Sequence, residues 1–273
     1  MLTDPQLDQF DREGALTIDT PLTPEYQKRS KDDKLTPEEL QRLRTTYDQL
    51  FPGADSEAAR EHARQSRTAN FFDQPLIDLI QHPFFEEVAA CVLRAGEVHF
   101  QNIAISKTYP RPEEEFSFTQ HTDIQYCLDD LDATPRRMAL SFFIWLDDVN
   151  EKRAPLMYRR GSHRQIAAWR QRDPVLRNEE PHVYGTTEEN LPPLDYEPPV
   201  PIVARAGQAS VLTTALVHGA SNNVDTRPRY ACHLSYNSAD LEIPLPASKH
   251  QVRLDYYRAL RDYLRPERLH LVS

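Results

Sequence analysis

The stretch 116–126, with the sequence FSFTQHTDIQY, decides how the rest of this chain is interpreted. It mixes aromatic and β-branched residues with polar ones, which is typical of a β-strand. Residues i and i+2 of a strand point to the same face, so His121 and Asp123 converge on one point. An imidazole and a carboxylate placed in this way suit two ligands of one metal ion. The triplet alone is weak evidence, because H-x-D occurs often by chance.

Further short segments of this kind lie on both sides of the H-x-D strand, separated by Pro, Asp and Asn turns. The predicted strands are 98–109, 116–126, 138–146, 156–158, 201–203, 209–213 and 230–236. Many short strands in a row are typical of a sandwich or barrel. The predicted helices are 36–51, 56–67 and 83–93 before the strands and 249–264 after them. Residues 164–199 are long, polar and proline-rich, and we expect them to form a flap over the mouth of the barrel.

Composition excludes several classes of protein. The 273 residues include 32 basic and 42 acidic side chains, and the net charge of -10 repels phosphate backbones and anionic membranes. The chain has seven glycines, and neither a G-x-G-x-x-G nor a P-loop sequence occurs. Cys91, Cys127 and Cys232 are odd in number and far apart, which does not suit a disulfide framework. We therefore expect a cytoplasmic protein that binds neither nucleic acid nor membranes, with no targeting leader and no membrane span.

A third candidate ligand is His218, which follows the apolar segment 209–214. Two imidazoles and a carboxylate form the facial triad of non-haem Fe(II) oxygenases, which leaves coordination positions open. Gly219 directly after the histidine is expected to give the backbone freedom to turn and to leave the metal face uncrowded. The alternative interpretation of His218 is a loop histidine at the end of a strand.

Arg229 follows His218 by eleven positions and opens a predicted strand. An arginine that faces an apolar barrel needs an anion, and its planar fork fits a carboxylate in bidentate geometry. The distal carboxylate of 2-oxoglutarate is the obvious candidate. Arg227 points the same way by strand alternation, so periodicity does not separate the two arginines. A surface turn after Asp225 fits Arg227 better than Arg229.

Taken together, these residues resemble the phytanoyl-CoA dioxygenase family of Fe(II)- and 2-oxoglutarate-dependent oxygenases, which includes the ectoine hydroxylases. Residues 10–14 (FDREG) are similar to the opening F-x-x-x-G of the family, and residues 121–123 match its H-x-D pair. Residues 145–148 (WLDD), followed by APL at 154–156, resemble its W-x-x-L-D-D to G-P-L run, with Ala154 in place of glycine. Residues 161–163 match its G-S-H turn, and the family spacing selects Arg229 as the anion-binding arginine.

The resemblance implies a mainly β fold with flanking helices: a double-stranded β-helix, the jelly-roll or cupin-like barrel, with N-terminal helices. Residues 1–273 would form one dioxygenase domain. Its parts would be a mostly helical segment 1–95, a barrel 96–240 with the insert 164–199, and a C-terminal helix within 241–273.

The resemblance also implies the cofactors and the reaction. His121, Asp123 and His218 would hold Fe(II), 2-oxoglutarate would chelate the iron and pair with Arg229, and O2 would take the remaining position. The expected reaction is the hydroxylation, or another oxidation, of an unactivated C–H bond of a small molecule, with succinate and CO2 as co-products.

Three further residues are candidate contacts of the cosubstrate on the same resemblance. Gln101 and Lys107 form a Q-x-x-x-x-x-K arrangement similar to ectoine hydroxylases, in which the glutamine position lies near the bound substrates. Phe143 falls where relatives have an aromatic residue beside 2-oxoglutarate. Ser221 is next to Ala220, the position at which several relatives have a serine that bonds the cosubstrate. Gln101 as a plain surface residue and Phe143 as barrel core are equally consistent with the sequence.

Arg159, Arg160 and His233 are candidate substrate contacts. The two adjacent arginines replace an apolar residue and a proline of the family, and they could face an acidic group of a small-molecule substrate; a solvated charge pair is the alternative. His233 shares a strand face with Arg229, and a core histidine bonded to its neighbours is the alternative. The sequence indicates nothing about the oligomeric state.

Two other classes of function remain open at this point. One is a different metal-dependent enzyme on a cupin-like barrel, such as a zinc hydrolase with the same three ligands. The other is a non-catalytic jelly roll that binds a ligand. Arg229 argues against the hydrolase, which needs no anion partner at that offset, and an intact triad argues against the non-catalytic protein.

Overall fold

The computed structural model describes residues 2–30, 35–51, 64–68, 71–178, 182–241 and 247–272. In chain order the helices are α1 (Asp4–Glu13), α2 (Pro24–Arg29), α3 (Glu39–Leu50), α4 (Gln74–Ile80), α5 (Pro83–Leu93), α6 (Leu128–Asp132), α7 (Ser162–Arg172), α8 (Pro174–Asn178) and α9 (Ala247–Leu260). Short 3₁₀ helices span Glu188–Asn190 and Pro266–Val272. Within the described ranges, no helix is both long enough and apolar enough to cross a bilayer.

The strands are β1 (Ala15–Ile18), β2 (Arg64–Thr68), β3 (Val98–Thr108), β4 (His121–Gln125), β5 (Ala139–Trp145), β6 (Leu156–Tyr158), β7 (His182–Thr187), β8 (Val200–Pro201), β9 (Ala209–Thr213), β10 (His218–Ala220) and β11 (Arg229–Ser238). They form a six-stranded sheet in the order β1-β9-β5-β11-β3-β2, here called the large sheet, and a five-stranded sheet in the order β7-β4-β10-β6-β8, the small sheet. The strands in both sheets pair antiparallel, and the two sheets face each other. This arrangement confirms the predicted mainly β jelly roll with flanking helices.

Helices cover the outer face of the large sheet. Phe85 of α5 packs edge-on against Phe142 of β5, with ring centroids 5.3 Å apart, and Phe142 in turn contacts Tyr236 of β11 at 6.0 Å. The buried Tyr236 hydroxyl donates a hydrogen bond to the Ile80 carbonyl at the end of α4 (3.0 Å). Aromatic burial on this side leaves the opposite face of β5 and β11, which carries Phe143 and His233, to line the space between the sheets.

Several predicted elements agree with the structure. The helix 83–93 and the strands 156–158 and 209–213 have the predicted bounds. The H-x-D strand is shorter than predicted, because only His121–Gln125 pair with neighbouring strands. The closing helix begins at Ala247 and ends at Leu260.

Two strands were missed in the part that we expected to be mostly helical. The prediction of a helix over 56–67 was wrong for positions 64–67, which belong to β2 (Arg64–Thr68) at the edge of the large sheet; positions 56–63 lie outside the described residues. Ala15–Ile18 form β1 and pair with β9. Four residues are too few to show strand periodicity, and this segment becomes a strand through its long-range partner.

The insert 164–199 carries regular structure. It contains most of α7, which begins two residues earlier at Ser162, and all of α8 and β7. β7 pairs with β4, the strand that carries the H-x-D pair. Part of the insert is therefore an integral strand of the small sheet. That the insert covers the mouth of the barrel stays a prediction.

Candidate metal centre

His121, Asp123 and His218 meet at the inner face of the small sheet. β10 pairs with β4 so that His218 lies directly opposite His121. The Nε2 atom of His121 is 3.4 Å from one Asp123 carboxylate oxygen, and the Nε2 atom of His218 is 3.7 Å from the other. One nitrogen or oxygen atom from each residue lies within 4.8 Å of the other two, close enough for one ion to bind all three.

Main-chain hydrogen bonds hold the backbone of β4 at Asp123. The register between β4 and β7 shifts between Thr122 and Ile124, where two positions of β7, 184 and 185, stand opposite Asp123. The main-chain N–H groups of Asp123 and Ile124 instead donate to the carbonyl oxygen of Thr214, at 3.0 and 3.1 Å. Thr214 is itself fixed, because its hydroxyl is bonded to the Ala139 carbonyl (3.1 Å).

Gly219 allows the backbone on both sides of the triad to come close together. A Cβ atom at this position would lie 1.8 Å from the carbonyl oxygen of Thr119, two residues before His121. Any residue with a side chain would clash with this carbonyl, so the position requires glycine. Its φ does not fall in the left-handed region, so the expected freedom to turn is not what the position uses.

The electrostatics of the triad favour metal binding. Nδ1 of His218 lies 2.9 Å from the Leu216 carbonyl oxygen. Because this oxygen can only accept a hydrogen bond, Nδ1 carries the proton, and the Nε2 lone pair is left for a metal. Burial lowers the pKa of His218, so the neutral form is favoured. For Asp123, burial acts to raise the pKa, but the hydrogen bond from His121 and the charges of His218 and His121 outweigh it, and the pKa of Asp123 lies below its ordinary value.

A cavity of about 260 Å³ opens in front of the triad, between the two sheets. Its lining residues are Asn102, Ala104 and Ser106 of β3, His121 and Asp123 of β4, Phe143 of β5, Leu156 of β6, His218 and Ala220 of β10, and Arg229, Ala231 and His233 of β11. Arg229 is 3% exposed, and its guanidinium carbon lies 5.4 Å from the centre of the Trp145 ring. Arg227 is exposed in the preceding turn, so the structure separates the two arginines that strand alternation could not.

Phe143 and His233 also lie at the cavity, in contact with each other. Their ring centroids are 4.8 Å apart, and Phe143 reaches within 6.4 Å of the His218 ring. Nε2 of His233 is 3.3 Å from the Ser235 hydroxyl. Both residues therefore stand beside the triad, as a cosubstrate or substrate contact requires.

Four other predicted site residues lie outside the cavity lining. Gln101 occupies a bulge of β3, where Ser235 pairs with Asn102 and Tyr236 with Phe100. The Ser221 hydroxyl donates to the Pro155 carbonyl (2.7 Å).

The two adjacent arginines also have partners elsewhere. Arg159 donates to the Gln120 side chain (2.6 Å) and to the Glu197 carbonyl (3.1 Å), which ties the insert to the residue before His121. Arg160 is exposed and lies 3.6 Å from Glu13.

The sequence alone did not single out Asn102, Ser106 or Trp145. Asn102 and Ser106 share the inner face of β3 with Ala104, and Trp145 shares the face of Phe143 two residues earlier. Strand alternation from Phe143 could have identified Trp145. The bulge at position 101 changes the alternation along β3, so periodicity alone could not show which side chains point inward.

Comparisons with known proteins agree with this geometry. The sequence profile of the family described as phytanoyl-CoA dioxygenase (PhyH) matches residues 10–231. No curated protein matches the sequence.

Among solved structures, three similar folds illustrate the range. The epimerase SnoN, in complex with Fe3+, alpha ketoglutarate and nogalamycin RO, superposes with a TM-score of 0.57 and 16% identity, covering 86% of this chain and 83% of that chain. AviO1 from Streptomyces viridochromogenes Tue57 gives 0.57 and 18%, covering 90% and 100%. EctD from S. alaskensis with bound Fe gives 0.55 and 16%, covering 90% and 80%. At these identities the similarity shows a shared fold.

Proposed function

The chain belongs to the phytanoyl-CoA dioxygenase family of Fe(II)- and 2-oxoglutarate-dependent oxygenases, and from that premise we propose that it hydroxylates, or otherwise oxidises, an unactivated C–H bond of a small molecule. The co-products would be succinate and CO2. One observation carries the proposal: ligand atoms of His121, Asp123 and His218 lie within 4.8 Å of one another at a cavity that also contains the buried Arg229.

The residues present fit a divalent iron ion. Two imidazole nitrogens and one carboxylate oxygen are the donor set of the facial triad, and all three face one cavity, which leaves room for further ligands on the open side. The lowered pKa values of Asp123 and His218 favour an anionic carboxylate and a neutral imidazole, the forms that bind a metal. One carboxylate neutralises only part of the charge of Fe(II), so the metal with its three ligands would stay positive, which suits an anionic cosubstrate.

When bound, iron and 2-oxoglutarate supply the oxidising chemistry, in which decarboxylation of the cosubstrate is coupled to the reduction of O2 and oxidation of the substrate. The chain supplies orientation and shielding. Arg229 would donate to the distal carboxylate of the cosubstrate, and the Trp145 ring, which lies against the guanidinium, would shield it from water. Phe143, between His218 and His233, gives the cavity an apolar wall beside the metal ligands.

Two observations weigh against the other classes of function. A buried arginine at the same cavity as the triad has no use in a zinc hydrolase, which binds water in its open position. A non-catalytic jelly roll has no need for a triad in which main-chain hydrogen bonds fix both the tautomer of His218 and the backbone of Asp123. We further propose that residues 1–273 act as one catalytic domain, because buried residues of α1, α3 and α5 share one apolar cluster with those of the large sheet.

An anaerobic titration tests the metal assignment. The metal-free protein is titrated with Fe(II) and 2-oxoglutarate while the visible charge-transfer band is recorded, and succinate is assayed after O2 is admitted. We expect the band and succinate with the wild type, and neither with the double variant His121→Ala/Asp123→Ala. Asp129→Ala, at an aspartate with 55% side-chain exposure, is the matched control and should keep both. A wild type without the band, or a double variant with it, would contradict the assignment.

The same titration separates the two arginines. Charge-assisted hydrogen bonds contribute about 1.5–3 kcal/mol, so Arg229→Ala should weaken 2-oxoglutarate binding by roughly 10- to 100-fold while changing Fe(II) affinity much less. Arg227→Ala, at an exposed position two residues away, should leave both affinities at wild-type values. Equal loss of both ligands in Arg229→Ala would mean that the cosubstrate carboxylate binds elsewhere.

A further inference from the structure

The cavity in front of the triad has two different ends along β11. Arg229 and His233 lie on the same face of this strand, four residues apart, which corresponds to roughly 13 Å of strand. Trp145 accompanies Arg229 at one end, and Phe143 accompanies His233 toward the other. The cosubstrate proposed above extends from the metal toward Arg229. The remaining space, along β3 and toward His233, is left for the substrate.

Two polar side chains of β3 face this space without a protein partner. Asn102 and Ser106 both line the cavity, and Ser106 is only 6% exposed. In the part of the chain that the structure describes, neither the Asn102 amide nor the Ser106 hydroxyl forms a hydrogen bond. Most buried polar side chains in folded proteins are hydrogen-bonded, so the unpartnered Ser106 hydroxyl indicates that a ligand or water satisfies it, and the half-buried Asn102 amide faces the same cavity.

Small residues create the room in front of these two groups. Ala104 lies between Asn102 and Ser106 on the inner face of β3, and Ala231 of β11 pairs with Ser106. The volume of about 260 Å³ is below the roughly 300–1,000 Å³ of typical small-molecule sites, and part of it is needed for the cosubstrate. The part of the substrate that reaches the metal is therefore compact.

The charges at the cavity argue against a charged substrate group at this end. Among the described residues that line the cavity, two have an Asp, Glu, Lys or Arg side chain: Asp123 and Arg229. Both already have roles in the proposed function. Arg159 and Arg160, which suggested an acidic substrate, have other partners and do not line the cavity.

We propose that Asn102 and Ser106, which pair with Ser235 and Ala231 of β11, each recognise an uncharged hydrogen-bonding group, a hydroxyl or an amide, on the compact part of the substrate that is oxidised, with His233 between them. Asn102 and Ser106 can each donate and accept, which matches hydroxyl and amide groups equally. A hydrocarbon tip, such as the end of an acyl chain, would leave both side chains desolvated and unpartnered. This inference rests on the proposed function, because it takes the metal and cosubstrate to fill the Arg229 end.

Binding of two sets of probes tests the inference on the full chain. The protein is loaded with Zn(II) and 2-oxoglutarate, which prevents turnover, and binding is followed by ligand-observed NMR. One set contains uncharged ring compounds with hydroxyl or amide groups: cyclitols, methyl glycosides and lactams. The other contains octanoyl-CoA and palmitoyl-CoA. We expect members of the first set to bind, and the double variant Asn102→Leu/Ser106→Ala to lose roughly 10- to 100-fold in their affinity.

Controls keep this test independent of folding and of the proposed function. The double variant should keep the wild-type thermal midpoint within a few degrees and the Fe(II)–2-oxoglutarate band, and Arg160→Ala should bind the first set as the wild type does. The inference is overturned if the acyl-CoA thioesters bind and the ring compounds do not, if neither set binds, or if the double variant keeps its affinity for the ring compounds. If the wild type shows no Fe(II)–2-oxoglutarate band, the proposed function is refuted instead.

Discussion

The two sheets of this protein differ in regularity, and the difference matches what each contributes to the site. β3 and β11 of the large sheet pair along ten residue pairs, whereas β10 of the small sheet has three residues and β8 has two. The triad lies entirely on the small sheet. There, the close backbone contact at Gly219 and the main-chain hydrogen bonds to Thr214 fix the strands that carry the ligands. On the large sheet, strand alternation aligns Arg229, Ala231 and His233. We therefore expect the small sheet to be far more sensitive to the addition of a single atom.

The largest expected effect is that of Gly219→Ala in the small sheet. The added Cβ would meet the Thr119 carbonyl oxygen at 1.8 Å, so β10 and the segment before His121 have to move apart. We expect Fe(II) affinity to fall by at least about 100-fold and the free energy of unfolding to fall by about 3 kcal/mol or more. Metal titration and urea unfolding measure the two effects.

Ala231→Ser is the matched change in the large sheet, because it also adds one heavy atom next to the cavity. Ala231 is buried but lines the cavity, so the added hydroxyl can project into the cavity, and Fe(II) affinity and stability should stay close to the wild type. Equal losses in the two variants would show that the sheets do not differ in tolerance.

How much of the protein could be predicted depends on whether a side chain is located by its sequence position or by the pairing of two strands. The sequence identified four site residues, because their separations along the chain match the pattern of the family: His121, Asp123, His218 and Arg229. Gln101 was predicted as a contact and Asn102 was not, since a single bulge in the pairing of β3 with β11 decides which of the two faces the cavity. A bulge is a property of two paired strands, so neither strand reveals it alone.

A second effect concerns the junction between the two sheets. His163 in α7, which follows β6 of the small sheet, packs against Gly14, next to β1 of the large sheet; a Cβ at Gly14 would be 2.6 Å from its Nδ1. Burial, with a contribution from the charge of Arg164, lowers the pKa of His163 to about 4, although Asp11 acts in the opposite direction. In the unfolded chain the pKa of the same imidazole returns to the ordinary histidine value of 6.5.

Between these two pKa values the unfolded state binds more protons than the folded state, so stability falls as the pH is lowered. Over pH 7 to pH 4 this one group should remove about 3 kcal/mol from the free energy of unfolding. Urea unfolding of the wild type and of His163→Gln at both pH values measures the difference, and the variant should lose about 3 kcal/mol less than the wild type. Parallel losses in the two proteins would mean that the junction does not keep the imidazole neutral.

The smallest expected effect is that of Ala154→Gly, which is the reverse of the first substitution and lies just outside the same sheet. Ala154 stands two residues before β6, where relatives have a glycine, and its φ of 42° lies in the left-handed region. That conformation costs an L-residue about 1–2 kcal/mol. Its methyl group is fully buried, however, which contributes about 0.8 kcal/mol, and a glycine would lose about 0.5–1 kcal/mol more backbone entropy on folding.

These contributions nearly cancel, so urea unfolding of Ala154→Gly should show a change of less than about 1 kcal/mol, and Fe(II) affinity should not change. A stabilisation clearly above that would mean that strain at Ala154 outweighs its burial. The two positions therefore differ in what limits the side chain. At Gly219 a methyl group has no space, whereas at Ala154 the methyl group has space and only the backbone dihedral angle is unfavourable.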